Sequence, residues 1–261
     1  MHLVFAAHAG KASLAAACRR LMRIAEKEGI TCSLVGQDRI PEPGNDAAIV
    51  AVGGDGNFIR TAQFACRNNL PLFGVNCGHI GFLTEWTEET FPTAIQKILS
   101  GDYSIEDRAM LSVSVNDEPM RDCFNDLVVY KHSFSGVVQM SLEINGQGTG
   151  DLFGDGLIIA TPTGTTGYSL SAGGPILADG LEAMVVTPVC AHSLQYRPVV
   201  CSLDSTVAIM MNGKGVLAAD GDRFRAVSKG DRIVVTRSER VTRLMRFETR
   251  NLFRLISEKL T

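Results

Sequence analysis

The sequence lacks the long apolar runs and the basic blocks that mark several common protein classes. No hydrophobic stretch approaches the ~20 residues that a membrane-spanning helix needs. Lysine and arginine together number 25 against 28 aspartates and glutamates, which disfavours binding to nucleic acid or to anionic membranes by bulk charge. At 45% hydrophobic and 20% charged, the chain has the composition of a globular protein. We therefore expect neither nucleic acid nor membrane among its partners.

The cysteines lack the spacing that a disulfide framework or a zinc site requires. There are seven, an odd number, with no C-x-x-C pair among them. Reduced thiols in a cytosolic protein are the simpler interpretation. No basic segment precedes a long apolar stretch at the N-terminus, so no signal peptide is expected. We predict a cytoplasmic protein without a transition-metal site of its own.

A standard dinucleotide-binding motif is also missing. Leu3–Ala7 is predicted to be the first strand, and a Rossmann unit would place G-x-G-x-x-G directly after it. The chain instead reads His8-Ala9-Gly10-Lys11 there. A standard NAD-dependent dehydrogenase is therefore disfavoured.

The most informative stretch is a glycine cluster that follows a later strand. Ala47–Val52 is apolar and rich in β-branched residues, and it leads into Gly53-Gly54-Asp55-Gly56-Asn57. Phe58–Cys66 then has helical spacing, so we predict a buried parallel strand, a tight loop and a helix. Glycines there bring bare backbone N–H groups close to a ligand, which suits phosphate.

Asp55 is the one ionisable group in this predicted loop. A carboxylate repels phosphate, so anion binding alone does not account for it. The functional interpretation makes it a base or a metal contact. The alternative is an aspartate that simply favours a turn.

The order of predicted elements indicates two domains and a tail. Residues 1–100 alternate strands and helices, including a helix over Glu88–Leu99 with acidic residues in its first turn, which predicts a parallel sheet. Residues 101–236 are short β-rich runs separated by turns, among them Cys123–Tyr130 and a last strand at Arg232–Thr236. Residues 237–261 form a tail that we expect to pack back on the N-terminal domain and to close with an amphipathic helix.

A second polar cluster lies in the β-rich part. Gly154-Asp155-Gly156 precedes the predicted strand Leu157–Ala160, and a run dense in hydroxyls and glycines, Thr161–Pro175, follows it. Hydroxyls and exposed backbone can bind ribose, amide and phosphate groups, and Tyr168 offers a flat face for a base. The alternative for any single residue here is a long polar surface loop.

Taken together, these motifs resemble the NAD kinases. The resemblance rests on Gly53–Gly56, on the loop Asn76–Thr84, on Asn125-Asp126 after an apolar strand and on Thr161–Pro175. Pro188, His192–Leu194 and Arg197-Pro198 also fit. Gly-Gly-Asp-Gly alone is shared with diacylglycerol kinases and phosphofructokinases, whereas the Thr-Pro-Thr-Gly run is specific.

The resemblance implies a phosphotransferase that moves the γ-phosphoryl group of ATP to the 2′-hydroxyl of the adenosine ribose of NAD, giving NADP. It implies an N-terminal α/β domain with a parallel sheet and a C-terminal β-rich, sandwich-like domain, as in the NAD kinase and diacylglycerol kinase folds. It further implies Mg²⁺ arriving with ATP and a homodimer or homotetramer.

The resemblance also assigns roles to residues. Asp55 would be the general base, and Gly53, Gly54, Gly56 and Asn57 would form the phosphate loop for ATP. The residues implied in NAD binding are Asp55, Gly56, Arg60, Asn125, Asp126, Asp155, Thr166, Gly167, Tyr168, Ser169, Leu170 and Ser171. A solvent-facing position on the helix is the alternative for Arg60.

Five positions depart from the family pattern. Asn57 replaces a frequent Thr, Asp126 a frequent Glu, Gly167 the usual Ala, and Asp222 the Gln of some relatives. Phe153 stands where many relatives carry an Arg, which removes a cation.

Two other classes are considered beside the kinase: a non-catalytic NAD(P)-binding sensor, and a Gly-Gly-Asp-Gly kinase acting on a lipid or sugar. The sequence leaves open ATP or polyphosphate as donor and NAD or NADH as acceptor. His192 is interpreted as a packed structural histidine, and Trp86 as a residue of the core or of an interface.

Overall fold

The computed structural model describes residues 1–8, 12–35, 46–78, 81–193, 195–248 and 255–258. The chain forms two compact units. Unit 1 contains Met1–Arg108 and Thr242–Thr261, and unit 2 contains Ala109–Val241. The division of the chain at residues 101 and 237 stays a prediction.

Unit 1 alternates strands and helices over most of its length. Its elements are β1 (His2–Ala6), α1 (Ala12–Lys27), β2 (Thr31–Leu34), β3 (Ala47–Val52), α2 (Asp55–Asn68), β4 (Leu72–Asn76), β5 (Trp86–Thr87) and α3 (Phe91–Ser100). The parallel strands lie in the order β2-β1-β3-β4. Every residue of β3 is buried, as its apolar sequence predicts for a central parallel strand.

Two helices of unit 1 begin elsewhere than the sequence indicated. Helix α2 starts at Asp55 rather than near Phe58, so Asp55 and Gly56 occupy its first turn and not a loop. Helix α3 starts at Phe91, so Glu88 precedes it and its first turn holds no acidic residue. Proline favours the first turn of a helix, and Pro92 supplies this start signal.

An aromatic cluster fills the core of unit 1. Phe73 lies 5.3 Å and Trp86 5.2 Å from the ring of Phe247, measured between centroids. Phe91 packs against both Phe5 and Phe73. Trp86 is thus a core residue, one of the two positions expected from the sequence.

Unit 2 consists almost entirely of strands. The remaining elements of the chain are β6 (Ser104–Val115), β7 (Glu118–Cys123), β8 (Asp126–Lys131), β9 (Val138–Ile144), β10 (Gln147–Gly154), β11 (Gly156–Ala160), a 3-10 helix (Thr163–Thr166), α4 (Tyr168–Ser171), β12 (Ala183–Val189), β13 (Val199–Ser202), β14 (Val207–Met211), β15 (Gly215–Ala219), β16 (Asp222–Val227) and β17 (Arg232–Arg246). The chain passes from one unit into the other within β6 and again within β17.

Two antiparallel arrays make up unit 2. One is a sheet in the order β13-β12-β11-β8-β15-β16, and the other contains β10-β9-β14 and the first part of β17. One hydrophobic core takes side chains from both arrays, such as Val129 and Ile159 from the first and Met140 and Ile209 from the second. This face-to-face packing is a two-layered β arrangement.

Two predicted strands of this part were wrong in extent. Cys123–Tyr130 is not one strand, because Phe124 and Asn125 separate β7 from β8. The last strand does not end at Thr236 but continues to Arg246, where Leu244 pairs with Leu72 in unit 1. In the predicted closing helix, Leu252, Phe253 and Leu260 lie outside the described residues, and residues 255–258 are helical. No helix within the described ranges is long and apolar enough to cross a membrane.

Candidate active site

The glycine cluster of unit 1 joins the end of β3 to the start of α2. Gly53 has φ +135°, a conformation that disfavours a side chain, and its N–H donates to the carbonyl of Val75 at 2.9 Å. Gly54 caps α2 and offers no side-chain hydrogen bond to the helix. The first N–H groups of a helix have no intrahelical partner, so this turn presents donors and a positive dipole end that suit a phosphate.

The Asp55 carboxylate is held by the chain that follows β4. Its Oδ2 accepts the N–H of Phe82 at 2.7 Å, and its Oδ1 accepts the N–H of Leu83 at 3.0 Å. Its side chain is half-buried. An ionised carboxylate has about four acceptor positions, so each oxygen keeps capacity for a further donor. The two backbone bonds therefore orient Asp55 without using up its hydrogen-bonding capacity.

The segment that holds Asp55 is itself fixed by two polar side chains. Asn76 accepts the N–H of Gly78 at 2.8 Å and donates to the hydroxyl of Thr84 at 3.1 Å. The same hydroxyl accepts the N–H of Gly81 at 3.2 Å. Asn76–Thr84 is one of the motifs that carry the family resemblance, and its residues Phe82 and Leu83 contact Asp55 directly. His79 and Ile80 lie outside the described residues.

Asn57 and Arg60 lie on the same helix but in different surroundings. The side-chain amide of Asn57 donates to the carbonyls of Ala6 and Val52, each at 3.1 Å, and so ties the helix to the ends of β1 and β3. Arg60 is exposed. The contact of Asn57 with phosphate and that of Arg60 with NAD stay predictions.

In unit 2, Asn125 ends the turn between β7 and β8, and Asp126 is the first residue of β8; this pair, called here the Asn125-Asp126 turn, lies beside a carboxylate that sequence reasoning missed. Asp220 accepts three consecutive backbone N–H groups: that of Phe124 at 2.9 Å, that of Asn125 at 2.7 Å and that of Asp126 at 3.2 Å. Of the residues near this position, the sequence drew attention only to Asp222, as a departure from the family pattern. Asp220 and Gly221 form a turn between β15 and β16, and a turn at this place could be predicted from the sequence. Nothing in the sequence indicated, however, which segment of the chain the Asp220 side chain would contact.

The backbone carbonyl groups of the same turn accept hydrogen bonds from the Thr161–Pro175 run. The Thr161 hydroxyl donates to the carbonyl of Phe124 at 2.7 Å, and its N–H donates to that of Asn125 at 2.8 Å. Gly164 packs so closely that a Cβ atom there would lie 2.6 Å from the carbonyl carbon of Asn125. Two motifs recognised separately in the sequence are therefore one structure, and Thr161 and Gly164 are supporting residues that the site assignment omitted.

The two side chains of this turn are buried and polar. Asn125 is 8% and Asp126 5% exposed, and the Oδ1 of Asn125 has no hydrogen-bond partner. Burial, and then the neighbouring charge of Asp220, raises the pKa of Asp126 to about 7. A buried acceptor without a partner is unusual in a folded protein, so it indicates a place where a ligand donor fits.

The side chains of Thr166–Ser171 differ in their exposure to solvent. Tyr168 is 48% exposed, and Ser171 is also exposed, which leaves both accessible to a ligand. Ser169 is fully buried and its hydroxyl lies 2.9 Å from that of Thr187, so this side chain supports the segment. Thr166 and Leu170 are half-buried. Gly167 adjoins the turn described above, since a Cβ atom there would lie 3.5 Å from the Nδ2 of Asn125.

Asp155 lies apart from the Asn125-Asp126 turn. It precedes β11, whereas Asp126 pairs with Ala160 at the far end of that strand. At about 3.4 Å per residue the two carboxylates are separated by the length of the strand, so the structure does not bring them together. The Oδ1 of Asp155 accepts Lys131 Nζ at 2.7 Å, and Lys131 is a second residue missed in the sequence.

The other positions discussed from the sequence are at the surface. Phe153 is 39% exposed on β10, and Asp222 is exposed at the start of β16. His192 is also exposed, so its interpretation as a packed histidine was wrong. Its backbone N–H donates to the carbonyl of Phe153 at 2.8 Å, which is the anchoring contact of this residue.

The metal chemistry of the site is limited by its donors. Within the ranges that the structure describes, no three His, Cys, Asp or Glu side chains are grouped so that they could hold a metal ion. Mg²⁺ prefers one or two carboxylates together with phosphate oxygens and water. Asp55 is a single carboxylate beside backbone donors that suit a phosphate, a donor set that fits an ion which a phosphate ligand would also coordinate.

Comparison with known families matches both units. A family model described as the ATP-NAD kinase N-terminal domain matches residues 37–103. A second, described as the ATP-NAD kinase C-terminal domain, matches residues 124–247. The two matches include the Asp55 turn and the Asn125-Asp126 turn, respectively.

Curated relatives are similar over most of their length. The NAD kinase of Geotalea daltonii is 38% identical over 239 residues, covering 88% of this chain and 84% of that protein. The NAD kinase of Syntrophotalea carbinolica is 37% identical over 230 residues, covering 85% and 81%.

Solved structures share the fold. Yeast NADH kinase complexed with NADH matches with a TM-score of 0.87 at 20% identity, covering 100% of this chain and 87% of that chain. An NAD kinase from Archaeoglobus fulgidus in complex with ATP matches with a TM-score of 0.79 at 25% identity, covering 100% and 98%. These matches confirm the fold class predicted from the sequence.

Proposed function

The chain belongs to the ATP-NAD kinase family, and from this membership we propose that it transfers the γ-phosphoryl group of ATP to the 2′-hydroxyl of the adenosine ribose of NAD, with Asp55 as general base. Its reaction class is therefore that of a phosphotransferase with an alcohol acceptor, and its products are NADP and ADP.

The observation that carries the assignment of Asp55 is its fixed carboxylate at the first turn of α2. The N–H groups of Phe82 and Leu83 orient it, and it retains acceptor capacity for a substrate hydroxyl. This contact supports the catalytic interpretation over the turn interpretation.

The chemical step needs one base. The ribose oxygen attacks the γ-phosphorus as the bond from that phosphorus to the β,γ-bridging oxygen breaks, and the hydroxyl proton passes to Asp55. Such a positioned base contributes roughly 100- to 10,000-fold to the rate. ADP then leaves, and Asp55 returns its proton to solvent.

The remaining residues of the turn bind and position phosphate. The backbone N–H groups around Gly54 and Gly56 would contact the nucleotide phosphates, as Gly53 and Asn57 shape the turn. Mg²⁺ bound to ATP supplies charge neutralisation of those phosphates when it is present.

In unit 2, the structure supports some of the proposed NAD contacts more directly than others. The buried Asn125 Oδ1 without a partner and the adjacent Asp126 carboxylate offer acceptors for adenine or ribose donors. Tyr168 offers an exposed ring for a base, beside Thr166, Gly167, Leu170 and Ser171. Ser169 would act through backbone or through packing, and Asp155 would accept a carboxamide donor while paired with Lys131.

The assembly and location proposed from the resemblance are a homodimer or homotetramer in the cytoplasm. Cys18 and Cys123 are buried, and none of the seven cysteines forms a disulfide, which supports a reducing compartment. An open edge at β13, where Val199 and Val200 are about half exposed, supports association of copies.

The test uses purified wild-type protein and Asp55→Asn, each given MgATP and NAD, with NADP followed by an NADP-specific dehydrogenase. The wild type is expected to make NADP, and the variant to lose at least about 100-fold in kcat while its Kd for NAD changes little. Asp102→Asn, exposed in the same unit, is the control and should keep full activity.

The outcomes separate the alternatives. If the wild type binds NAD yet makes no NADP with ATP or polyphosphate, the protein is a dinucleotide sensor and the kinase proposal fails. A wild type that phosphorylates a lipid or sugar and not NAD would instead favour the other kinase class.

A further inference from the structure

The Asp220 carboxylate lies at the end of a hairpin and contacts a segment about a hundred residues earlier in the chain. It follows β15 in the left-handed region, at φ 52°, and Gly221 continues the turn at φ 83°. Its own N–H donates to the carbonyl of Asp126 at 3.0 Å. Asp220 is thus joined to the Asn125-Asp126 turn through both its backbone and its side chain.

Three backbone donors converge on this carboxylate. The N–H groups of Phe124, Asn125 and Asp126 all point to its two oxygens, with N···O distances of 2.7 to 3.2 Å. Hydrogen bonds to a charged acceptor are about twice as strong as neutral ones. Three consecutive N–H groups cannot point to one carboxylate in an extended strand, so these hydrogen bonds form only because the chain departs from a strand between β7 and β8.

The opposite side of the turn is closed by Thr161. Its hydroxyl and its N–H occupy the carbonyls of Phe124 and Asn125. The backbone of the turn therefore has its donors and acceptors satisfied within the protein. What it leaves for another molecule is on the side chains, and the Oδ1 of Asn125 is buried without a partner.

We propose that Asp220 is a positioning residue for dinucleotide binding: it contacts no substrate, and it sets the affinity for NAD by fixing the turn that presents Asn125 and Asp126. This proposal rests on the proposed function, because it takes Asn125 and Asp126 to be NAD contacts. It assigns to Asp220 a role that local sequence pattern does not reveal.

If Asp220 affects only the binding of NAD, its loss should change the KM for NAD and leave the other kinetic constants nearly unchanged. Loss of the carboxylate frees the turn, so Asn125 and Asp126 must be ordered when NAD binds, at the expense of affinity. Asp55, the glycine turn and its contacts belong to unit 1 and keep their own hydrogen bonds. The KM for NAD should rise, whereas the KM for MgATP and the kcat at saturating NAD should stay close to those of the wild type.

Asp220→Asn is the decisive variant, because Asn also tolerates the left-handed backbone. Its amide oxygen can face Asn125 and Asp126, but its NH₂ group then opposes the N–H of Phe124. Asp117→Asn is the matched control: Asp117 also has a left-handed backbone, at φ 64°, lies in a turn of the same unit, and has a 94% exposed side chain.

The experiment measures the Kd for NAD by calorimetry without ATP, then steady-state kinetics with MgATP. Asp220→Asn should weaken NAD binding about 10-fold and Asp220→Ala about 100-fold, while Asp117→Asn binds as the wild type does. The KM for MgATP should stay within about 2-fold in each variant.

Three results would overturn the proposal: unchanged NAD affinity in Asp220→Asn, a loss of kcat with unchanged affinity, or a variant that no longer folds, since the residue would then serve stability alone. Failure of the proposed function is a separate result, seen as a wild type that binds NAD without forming NADP. In that case the NAD titrations still decide whether Asp220 controls the affinity.

Discussion

The backbone of Gly81 lies against the carboxylate of Asp55 so closely that a Cβ atom at Gly81 would collide with Oδ1 and lie 2.6 Å from Oδ2. Real Cβ atoms do not approach other atoms to this extent, so a side chain at position 81 would have to displace the carboxylate of Asp55. The contact connects the loop after β4 to the proposed base, and the next two residues supply the N–H groups that orient it.

Gly81→Ala is therefore expected to displace Asp55 and to lower kcat by about 100-fold, as a shift of about 1 Å in a reacting group does. Gly78→Ala is the control in the same loop, because a Cβ atom there would lie 3.7 Å from the Oδ1 of Asn76, an ordinary contact. NADP formation measures both. Equal activity in the two variants would contradict the proposed dependence of Asp55 on this loop.

Asp126 is expected to make the stability depend on pH. Its pKa is raised to about 7 from an ordinary value of 3.8, so the folded protein retains a proton that the unfolded chain releases. The stability from this group is fully present below the unfolded pKa and is lost as pH rises through about 7. From about pH 5 to about pH 8 the expected loss is on the order of 2 kcal/mol.

Urea unfolding of wild type and Asp126→Asn across this pH range tests the prediction. The difference in the free energy of unfolding between the two proteins should change with pH, because the amide of the variant does not titrate. A difference that is constant from about pH 5 to about pH 8 would show that Asp126 does not titrate there.

The same proton is expected to affect NAD binding. An ionised Asp126 accepts hydrogen bonds from ribose hydroxyls, whereas its protonated form has lost part of that capacity. The affinity for NAD should therefore rise as pH increases through about 7, and Asp126→Asn should remove this dependence. Calorimetric titrations at several pH values measure it, and an affinity that falls with pH in the wild type would contradict it.

Gly164 and Gly167 are expected to differ sharply although they lie three residues apart. A Cβ atom at Gly164 would lie 2.6 Å from the carbonyl carbon of Asn125, whereas at Gly167 the nearest atom would be 3.3 Å away. Gly164→Ala should cost about 2 kcal/mol or more in the free energy of unfolding, as overpacking does, and Gly167→Ala less than about 1 kcal/mol. Equal urea midpoints for the two variants would contradict this packing.

The two exposed thiols are expected to react at different rates. Cys77 and Cys190 are both exposed residues. The sulfur of Cys77 is nevertheless partly shielded from water, and this burial, followed by the nearby charge of Glu88, raises the pKa of Cys77 to about 12. Since the thiolate is the reactive form, Cys190 should react first with a thiol reagent. Cys190→Ser should remove the fast phase and Cys77→Ser should leave it, and the opposite pattern would contradict the prediction.

Much of the fold followed from local pattern. The fully apolar run Ala47–Val52 can only be a buried strand, and its position before a glycine cluster and a helical repeat indicated a parallel sheet. The turns that separate the β-rich runs also have a local cause: Asn116 precedes Asp117, Asn145 precedes Gly146, and both asparagines have the positive φ that such turns require. Family resemblance added the activity, because its motifs are spaced along nearly the whole chain.

The errors occurred where local signals compete. Gly54 and Asp55 allowed either a loop or a helix start, and the structure has Gly54 as the N-cap and Asp55 as the first residue of α2. The polar stretch 237–246 resembles a tail in isolation, but pairing of Leu244 with Leu72 continues the strand. Ser169 is a different case: its buried hydroxyl lies 2.9 Å from that of Thr187, and its contact with NAD stays a prediction.

The sequence by itself determined the buried strand Ala47–Val52, the family and Asp55 as the proposed base, since each rests on short motifs that can be read locally. Tertiary structure alone decided how these groups are held: Gly81 against Asp55, and Asp220 and Thr161 around the Asn125-Asp126 turn. The physical reason is that every residue except proline has the same backbone N–H, so the sequence does not show which group that N–H will bind. Its partner, about a hundred residues away for Asn125 and Asp220, becomes evident only when the chain has folded.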